Sequence, residues 1–133
     1  MRVSPGEKYL NLETYRRTGV PVRTPVWFAH DDQDTATLYV YSELDAGKVK
    51  RIRNNASVRV APCNMRGALK GEWTPATARL LGGGEAEHGH SLLNRKYWPK
   101  RLLDFFRPGR RKKLQIIAVR LAAPTEWIFK KPS

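Results

Sequence analysis

The chain has 133 residues, which is enough for one domain (1–133) with a hydrophobic core but too few for two. Its net charge of +13 favours anionic ligands: a phosphorylated small molecule, nucleic acid or an anionic membrane surface. No stretch approaches the roughly 20 apolar residues of a membrane span, and the first residues contain no apolar signal core. We therefore expect a cytoplasmic protein.

Cysteine and histidine usage argues against a metal centre. The single cysteine, Cys63, excludes an internal disulfide and a cysteine-based metal cluster. His88 and His90 are two residues apart, which places their rings on different sides of a helix, and His30 is distant in the chain. The sequence therefore predicts no metal site.

The first part of the chain predicts three strands. Residues 9–15 alternate apolar and polar side chains, which indicates a half-buried strand. Residues 22–29 form the second strand of a hairpin after a turn at Gly19 and Pro21. Pro25 has no backbone donor, so it indicates an edge position or a bulge. Residues 37–41 are β-branched and aromatic, which is typical of a third strand.

Residues 42–55 predict a basic helix. Ser42 and Asp45 resemble a capping box, and Val49 and Ile52 form the buried stripe. Lys48 and Lys50 lie near the helix N-terminus, where the helix dipole disfavours cations. A bound anion such as a phosphate would remove this conflict; the alternative is a solvated basic helix.

The second half predicts further strands at 58–63, 71–81, 114–120 and 125–129. Residues 82–84 are three glycines, which we interpret as a hinge, and 85–106 predict one or two helices with a boundary at Pro99. Residues 95–113 hold nine lysines and arginines against the single acid Asp104. This segment is expected to cover a barrel end, to close over an anionic ligand, or to contact a membrane surface weakly.

The predicted order is therefore β-β-β-α-β-β-α-β-β. Too few helices are present to connect parallel strands, so antiparallel hairpins dominate. Closing the sheet into a small barrel removes its exposed edges. The sequence predicts a mainly β fold, an antiparallel barrel with two or three helices at its ends.

Several stretches, in this order and spacing, resemble one known family: 15–28, 38–40, 47–55, 58–63 and 71–81. They are similar to the split β-barrel reductases of the pyridoxamine 5′-phosphate oxidase superfamily, and within it to the F420-dependent (deazaflavin) branch. The resemblance implies an FMN-binding-like split β-barrel that forms a homodimer. It also implies two cofactor sites in the grooves between the subunits.

The resemblance also implies site residues. The strand containing Thr24, Pro25, Val26 and Trp27 would run beside the cofactor ring, and Lys48 and Lys50 would hold the phosphate or the acidic tail. Further residues would line the site: Tyr41, Ser42, Cys63 and Trp73. The competing interpretation is that Tyr41 and Trp73 are packing aromatics and that Cys63 is a small buried hydrophobe.

A helical wheel divides the cations of this helix differently. Lys48 and Arg53 flank the buried stripe, whereas Lys50 and Arg51 point further out. Lys48 is the residue that both the wheel and the resemblance select. We therefore predict that Lys48→Ala weakens cofactor binding more than Arg51→Ala.

The function implied is that of an F420-dependent oxidoreductase, in which reduced F420 delivers a hydride from its C5 to a small organic acceptor. FMN is the alternative cofactor, and the high positive charge favours F420 because of its polyglutamate tail. A second hypothesis is a protein of the same fold that carries a flavin or tetrapyrrole without turnover. A third is a polyanion-binding or membrane-surface protein acting through 95–113, although the chain has no nucleic-acid motif. No catalytic residue is assigned.

Overall fold

The computed structural model of the chain describes residues 3–4, 6–97 and 114–122. In chain order these residues form β1 (Tyr9–Tyr15), β2 (Pro21–His30), β3 (Thr37–Glu43), α1 (Gly47–Asn54), β4 (Ser57–Cys63), β5 (Thr74–Leu80), α2 (Gly83–Tyr97) and β6 (Leu114–Leu121). The six strands pair antiparallel and close into a barrel in the order β1-β2-β3-β6-β5-β4. The predicted mainly β antiparallel barrel is confirmed.

The barrel interior is filled by the inward-facing positions of the strands. Leu10, Leu12, Phe28 and Val40 are each at most 1% exposed. Val49 and Ile52 of α1 join this core, so α1 packs onto the barrel through the predicted stripe. Because each buried aliphatic or aromatic side chain contributes about 1.5–3 kcal/mol, this core is the main stabilising feature of the fold.

α2 lies against the outer face of the barrel, where it packs on β3, β2 and β6. Tyr39, Tyr41 and Ile116 alternate with the core-facing residues of their strands and form a second apolar cluster with Leu92 and Leu93 of α2. This packing differs from the predicted position at a barrel end. Alternation along a strand identifies two faces, but it does not show which of them a later helix will cover.

The start of α1 differs from the sequence prediction. The helix begins at Gly47 and its N-cap is Ala46, which makes no side-chain cap. The Ser42–Asp45 capping box is therefore wrong: Ser42 belongs to β3, and its hydroxyl donates to the Glu43 carbonyl oxygen at 3.0 Å. β3 runs on through Glu43 because its pairing with β6 extends to that residue.

The region between β5 and α2 also differs. β5 begins at Thr74, so residues 71–73 lie outside the strand. The predicted glycine hinge is wrong in part, because α2 includes Gly83 and Gly84. Three predictions concern residues outside the described ranges: the strand 125–129, the boundary at Pro99, and the part of the basic segment after Tyr97. In the part of the chain that is described, no helix is long and apolar enough to cross a membrane.

Candidate functional site

β2 has an open edge along most of its length. It pairs with β1 from Pro21 to Trp27, but with β3 only from Phe28 to His30. Among the described residues, nothing pairs with the other side of residues 21–27. Pro25 lies within this open edge, as its missing donor predicted. A strand rises about 3.3 Å per residue, so the edge extends over roughly 20 Å, enough for a ligand to lie along it.

One end of this edge lies near the N-terminus of α1. The first turn of that helix contains no acidic residue and no side-chain cap. Its free N–H groups and the helix dipole therefore present positive potential. Lys48, the second residue of the helix, adds a cation where a helix normally carries none.

The Arg51 side chain also reaches the N-terminus of α1, although its position on the helical wheel predicted that it points outward. Its Nε donates to the buried Thr14 Oγ1 at 2.6 Å. Its Nη1 lies 2.8 Å from the point that a Cβ on Gly47 would occupy, so the guanidinium folds back across the helix N-terminus. The wheel prediction for Arg51 is wrong because side chains lean towards the helix N-terminus, and arginine is long enough to cover a full turn.

Arg16, Lys48 and Arg51 form what we call the basic cluster. Burial lowers the pKa of Lys48, and Arg51 lowers it further, while Glu43 acts in the opposite direction. Burial and then Arg16 lower the pKa of Arg51. Within the described ranges, no carboxylate lies within salt-bridge distance of these three cations. The cations therefore repel one another, and a bound anion would relieve that repulsion.

The other two cations predicted on α1 are placed differently. Lys50 and Arg53 are both exposed, although the resemblance selected the first and the wheel selected the second. As exposed cations they add to the long-range positive field of α1.

Thr24 and Ser42 lie at the same end of the barrel as the basic cluster. Thr24 is half-buried on β2, two residues from Val22, which pairs with Thr14. Ser42 is 4% exposed and is one residue from the end of β3, just before α1. Thr24, Ser42 and Lys48 are thus the predicted site residues at this end of the barrel, and Arg16 and Arg51 are cations that the prediction did not include.

Trp27 and Val26 occupy the far end of the open edge. The Trp27 ring stacks on Tyr97 of α2 with centroids 5.4 Å apart. The Tyr97 hydroxyl also accepts from the Phe28 N–H at 3.0 Å and lies 2.8 Å from the carbonyl oxygens of Phe28 and Lys8. This hydroxyl continues the β1–β2 ladder beyond its last residue pair, and it fixes the end of α2 beside Trp27.

Tyr41 lies on the opposite side of the sheet from Ser42. It is 5% exposed, packs under α2, and meets His90 edge to face at 5.7 Å. Burial raises the pKa of Tyr41, so its hydroxyl stays neutral. The fold does not place this side chain beside the basic cluster.

Cys63 and Trp73 also lie apart from the basic cluster. Cys63 is at the far end of β4, opposite Tyr9, and lines a cleft of about 310 Å³ with Glu7 and Lys70. Burial raises the pKa of its thiol, which disfavours the reactive thiolate. The guanidinium groups of Arg23 and Arg59 both lie over the Trp73 ring, at 4.8 and 5.0 Å from its centroid.

Glu13 is the feature that the sequence prediction missed. It is 0% exposed on β1, where the alternation had indicated a solvent-facing position. Its carboxylate accepts two hydrogen bonds from Arg59, at 2.6 and 3.0 Å, one from Arg23 at 2.8 Å and one from Tyr15. Burial alone would raise the pKa of Glu13, but these donors outweigh it and hold the pKa at about 2. The sequence signal for this site is an acid with an arginine opposite it on each flanking strand, but recognising that signal requires knowledge of the strand register.

No family model and no curated protein matches this chain, but solved structures match it closely in fold. HutZ, the heme storage protein from Vibrio cholerae, superposes with a TM-score of 0.67 at 13% identity, covering 92% of both chains. A protein from Listeria innocua described as a candidate pyridoxamine 5′-phosphate oxidase gives 0.59 at 15% identity, covering 87% of this chain and 85% of that one. A candidate 5-nitroimidazole antibiotic resistance protein from Bacteroides thetaiotaomicron gives 0.61 at 16% identity, covering 89% and 75%.

These similarities define the class of fold. The chain is a split β-barrel of the pyridoxamine 5′-phosphate oxidase-like type. At such identities the likeness concerns the fold alone, so the function has to be argued from the site.

Proposed function

We propose that this chain is an oxidoreductase that binds the deazaflavin cofactor F420 along the open edge of β2. The observation that carries the proposal is the basic cluster: Arg16, Lys48 and Arg51 meet at an uncapped helix N-terminus without a described carboxylate partner. A phosphodiester group there would accept hydrogen bonds from the cations and from the helix N–H groups. The residues present therefore fit an anionic cofactor.

Each part of the groove has a separate task in this proposal. Lys48 and Arg51 would hold the phosphate, with Arg51 oriented by its hydrogen bond to Thr14. The backbone of residues 21–27, which has no N–H at Pro25, would line the groove for the cofactor. When bound, F420 supplies the hydride chemistry, while the protein positions the cofactor and excludes water. The acceptor proposed is a small organic molecule.

We also propose that the chain acts as a homodimer. An unpaired strand edge is normally covered or paired in a stable protein. A second copy of the chain would cover residues 21–27 and would complete a groove that one chain leaves open. This arrangement agrees with the resemblance of stretches 15–28 and 47–55 to dimeric split-barrel reductases.

FMN and a tetrapyrrole are the second candidates for the same groove. FMN carries a compact phosphate that the basic cluster would also hold. The similarity to HutZ over 92% of both chains favours testing heme. The fold and the basic cluster are compatible with F420, FMN and a tetrapyrrole alike, so direct binding measurements have to distinguish these ligands.

The test is equilibrium titration of the purified, tag-free protein with F420, FMN and hemin in turn. We expect F420 to bind at least tenfold more tightly than FMN or hemin. Tighter binding of FMN or hemin would replace F420 in the proposal, and binding of none of the three would remove it. A second assay follows oxidation of reduced F420 with a panel of acceptors; binding without turnover would assign a carrier.

The position of the phosphate is tested with three alanine variants. Because Arg51 reaches the helix N-terminus, the expectation from the sequence that Arg51→Ala would be the milder change is replaced. Lys48→Ala and Arg51→Ala should each weaken F420 binding about tenfold or more, because a hydrogen bond to a charged group contributes about 1.5–3 kcal/mol. Lys50→Ala is the matched control: an exposed lysine on the same helix, expected to change affinity less than about twofold. Thermal melting verifies that Arg51→Ala stays folded. An equal loss in Lys48→Ala and Lys50→Ala would contradict this placement.

A further inference from the structure

The turn between β2 and β3 carries an unusual concentration of acid. Asp31, Asp32 and Asp34 lie within four residues of a chain whose net charge is +13. This turn follows His30, at the opposite end of β2 from the basic cluster. His88 of α2 points onto it, so an imidazole from one element meets carboxylates from another.

The donor atoms of Asp31, Asp32 and His88 have separations that suit a metal ion. All three lie within 4.8 Å of one another. His88 Nε2 is 2.9 Å from Asp31 Oδ1 and 3.6 Å from Asp32 Oδ1. Two ligands bound tetrahedrally at 2.0–2.2 Å are about 3.3–3.5 Å apart, so small side-chain rotations would bring the three atoms to ligand distances.

The groups around these donors hold them in place. Asp31 Oδ2 accepts from the backbone N–H groups of Gln33 and Asp34, both at 3.0 Å, and Oδ1 accepts from the Tyr39 hydroxyl at 2.9 Å. The His88 ring packs edge to face on Tyr39 with centroids 5.8 Å apart. Metal-binding carboxylates and imidazoles are commonly oriented by hydrogen bonds of this kind.

We propose that Asp31, Asp32 and His88 form a binding site for a divalent first-row transition metal ion, with Zn²⁺ as the best match. Imidazole nitrogen and carboxylate oxygen are both zinc ligands, and three protein ligands with water in the fourth position are an established zinc arrangement. Two carboxylates also neutralise the charge of the ion. Mg²⁺ and Ca²⁺ fit less well, since they prefer a larger number of oxygen ligands.

Metal binding here would link two elements that already meet through the His88–Asp31 hydrogen bond. The ion would join α2 to the β2–β3 turn, next to the Tyr39 hydrogen bond. A ligand that binds only the folded state raises its stability in proportion to affinity and concentration. The site therefore has a second readout, the melting temperature, besides direct binding.

The test is calorimetric titration of tag-free protein with ZnCl₂, and separately with MgCl₂. We expect one Zn²⁺ per chain with a dissociation constant below about 100 μM, and no comparable binding of Mg²⁺. His88→Ala and Asp32→Asn should each weaken Zn²⁺ binding at least tenfold and abolish the rise in melting temperature that Zn²⁺ causes.

His90→Ala is the matched control, because His90 lies on the same helix but packs on Tyr41, away from the turn. This variant should bind Zn²⁺ within about twofold of the original chain. Absence of Zn²⁺ binding at 1 mM would show that His88 makes only its hydrogen bond to Asp31 and would overturn the proposal. Equal binding by His88→Ala would overturn it too.

Discussion

Glu13 illustrates, at the scale of single residues, how a buried charge is neutralised by its neighbours. Its carboxylate is fully enclosed on β1, yet Arg23, Arg59 and Tyr15 together supply four hydrogen bonds. The two arginines come from the strands on either side, β2 and β4. The ion pairs therefore depend on the register of three strands, and they also select it, since a slip of one residue would leave the acid buried without a partner.

Glu13→Gln should destabilise the fold at neutral pH. The substitution removes the negative charge and leaves two neighbouring arginines unneutralised, with an expected cost of about 3–5 kcal/mol for breaking a buried pair. Urea unfolding at pH 7 measures the change. Glu85→Gln is the control, because its ion pair with Arg79 is solvent-exposed and screened by water, so its loss should have little effect on stability. Equal effects of both substitutions would contradict the account of Glu13.

The same carboxylate predicts a dependence of stability on pH. Its pKa is lowered on folding from 4.5 to about 2. A carboxylate whose pKa is lower in the folded than in the unfolded state stabilises the fold at pH values above its unfolded pKa. The contribution of Glu13 is therefore complete above about pH 5 and is lost as pH falls through about 2. Because its arginine partners are half-exposed, we discount the contribution to on the order of 2–3 kcal/mol. The difference in unfolding free energy between the original chain and Glu13→Gln should narrow steadily as pH is lowered from 6 towards 2; a constant difference would refute this origin.

At the scale of elements, α2 is positioned by a close approach of its backbone to the sheet. A Cβ on Gly89 would lie 2.7 Å from Tyr39 Cδ1 and 3.0 Å from Ile116 Cγ2. Glycine is therefore required there for contact with β3 and β6. This docking places Tyr97 at the end of the β1–β2 ladder and His88 over the β2–β3 turn.

Gly89→Ala should destabilise the protein by about 1–3 kcal/mol, since an added methyl group would push the helix from the sheet. Gly84→Ala is a matched control in the first turn of the same helix, where a Cβ meets nothing within 4 Å. It should be neutral or stabilising by up to about 1 kcal/mol, as alanine favours helix. Thermal or chemical unfolding compares the two, and a larger loss in Gly84→Ala would be inconsistent with this packing.

At the scale of the whole molecule, an incomplete barrel edge and a large positive charge occur together. Residues 21–27 have no second partner strand among the described residues, and the basic cluster lies at one end of them. A dimer would cover the edge, and the net charge of +13 would draw an anionic cofactor towards the groove.

Light scattering on the eluting protein should give a mass near twice the 15.2 kDa of one chain. A monomeric mass at micromolar concentration would contradict the proposed dimer, while leaving the basic cluster to be tested by itself.

Cofactor affinity should also fall as salt concentration rises. Lys48 and Arg51 are only partly buried, and salt screens accessible charges over about 8–10 Å at 0.1–0.15 M. Titrations at 50 and 500 mM NaCl measure this effect on the original chain. Lys48→Ala should show a shallower dependence, because one contact to the anion has been removed. Identical salt dependence in both proteins would argue against a direct contact by Lys48.

The sequence by itself determined the strand alternation, the antiparallel order and the uncompensated cations at the start of α1. These are local properties, set by side-chain period and by turn residues. The tertiary structure decided which distant residues meet: Arg51 with Thr14, Glu13 with two arginines, and His88 with Asp31. Those contacts depend on strand register, on the face that α2 covers, and on the reach of long side chains, none of which a periodic pattern specifies.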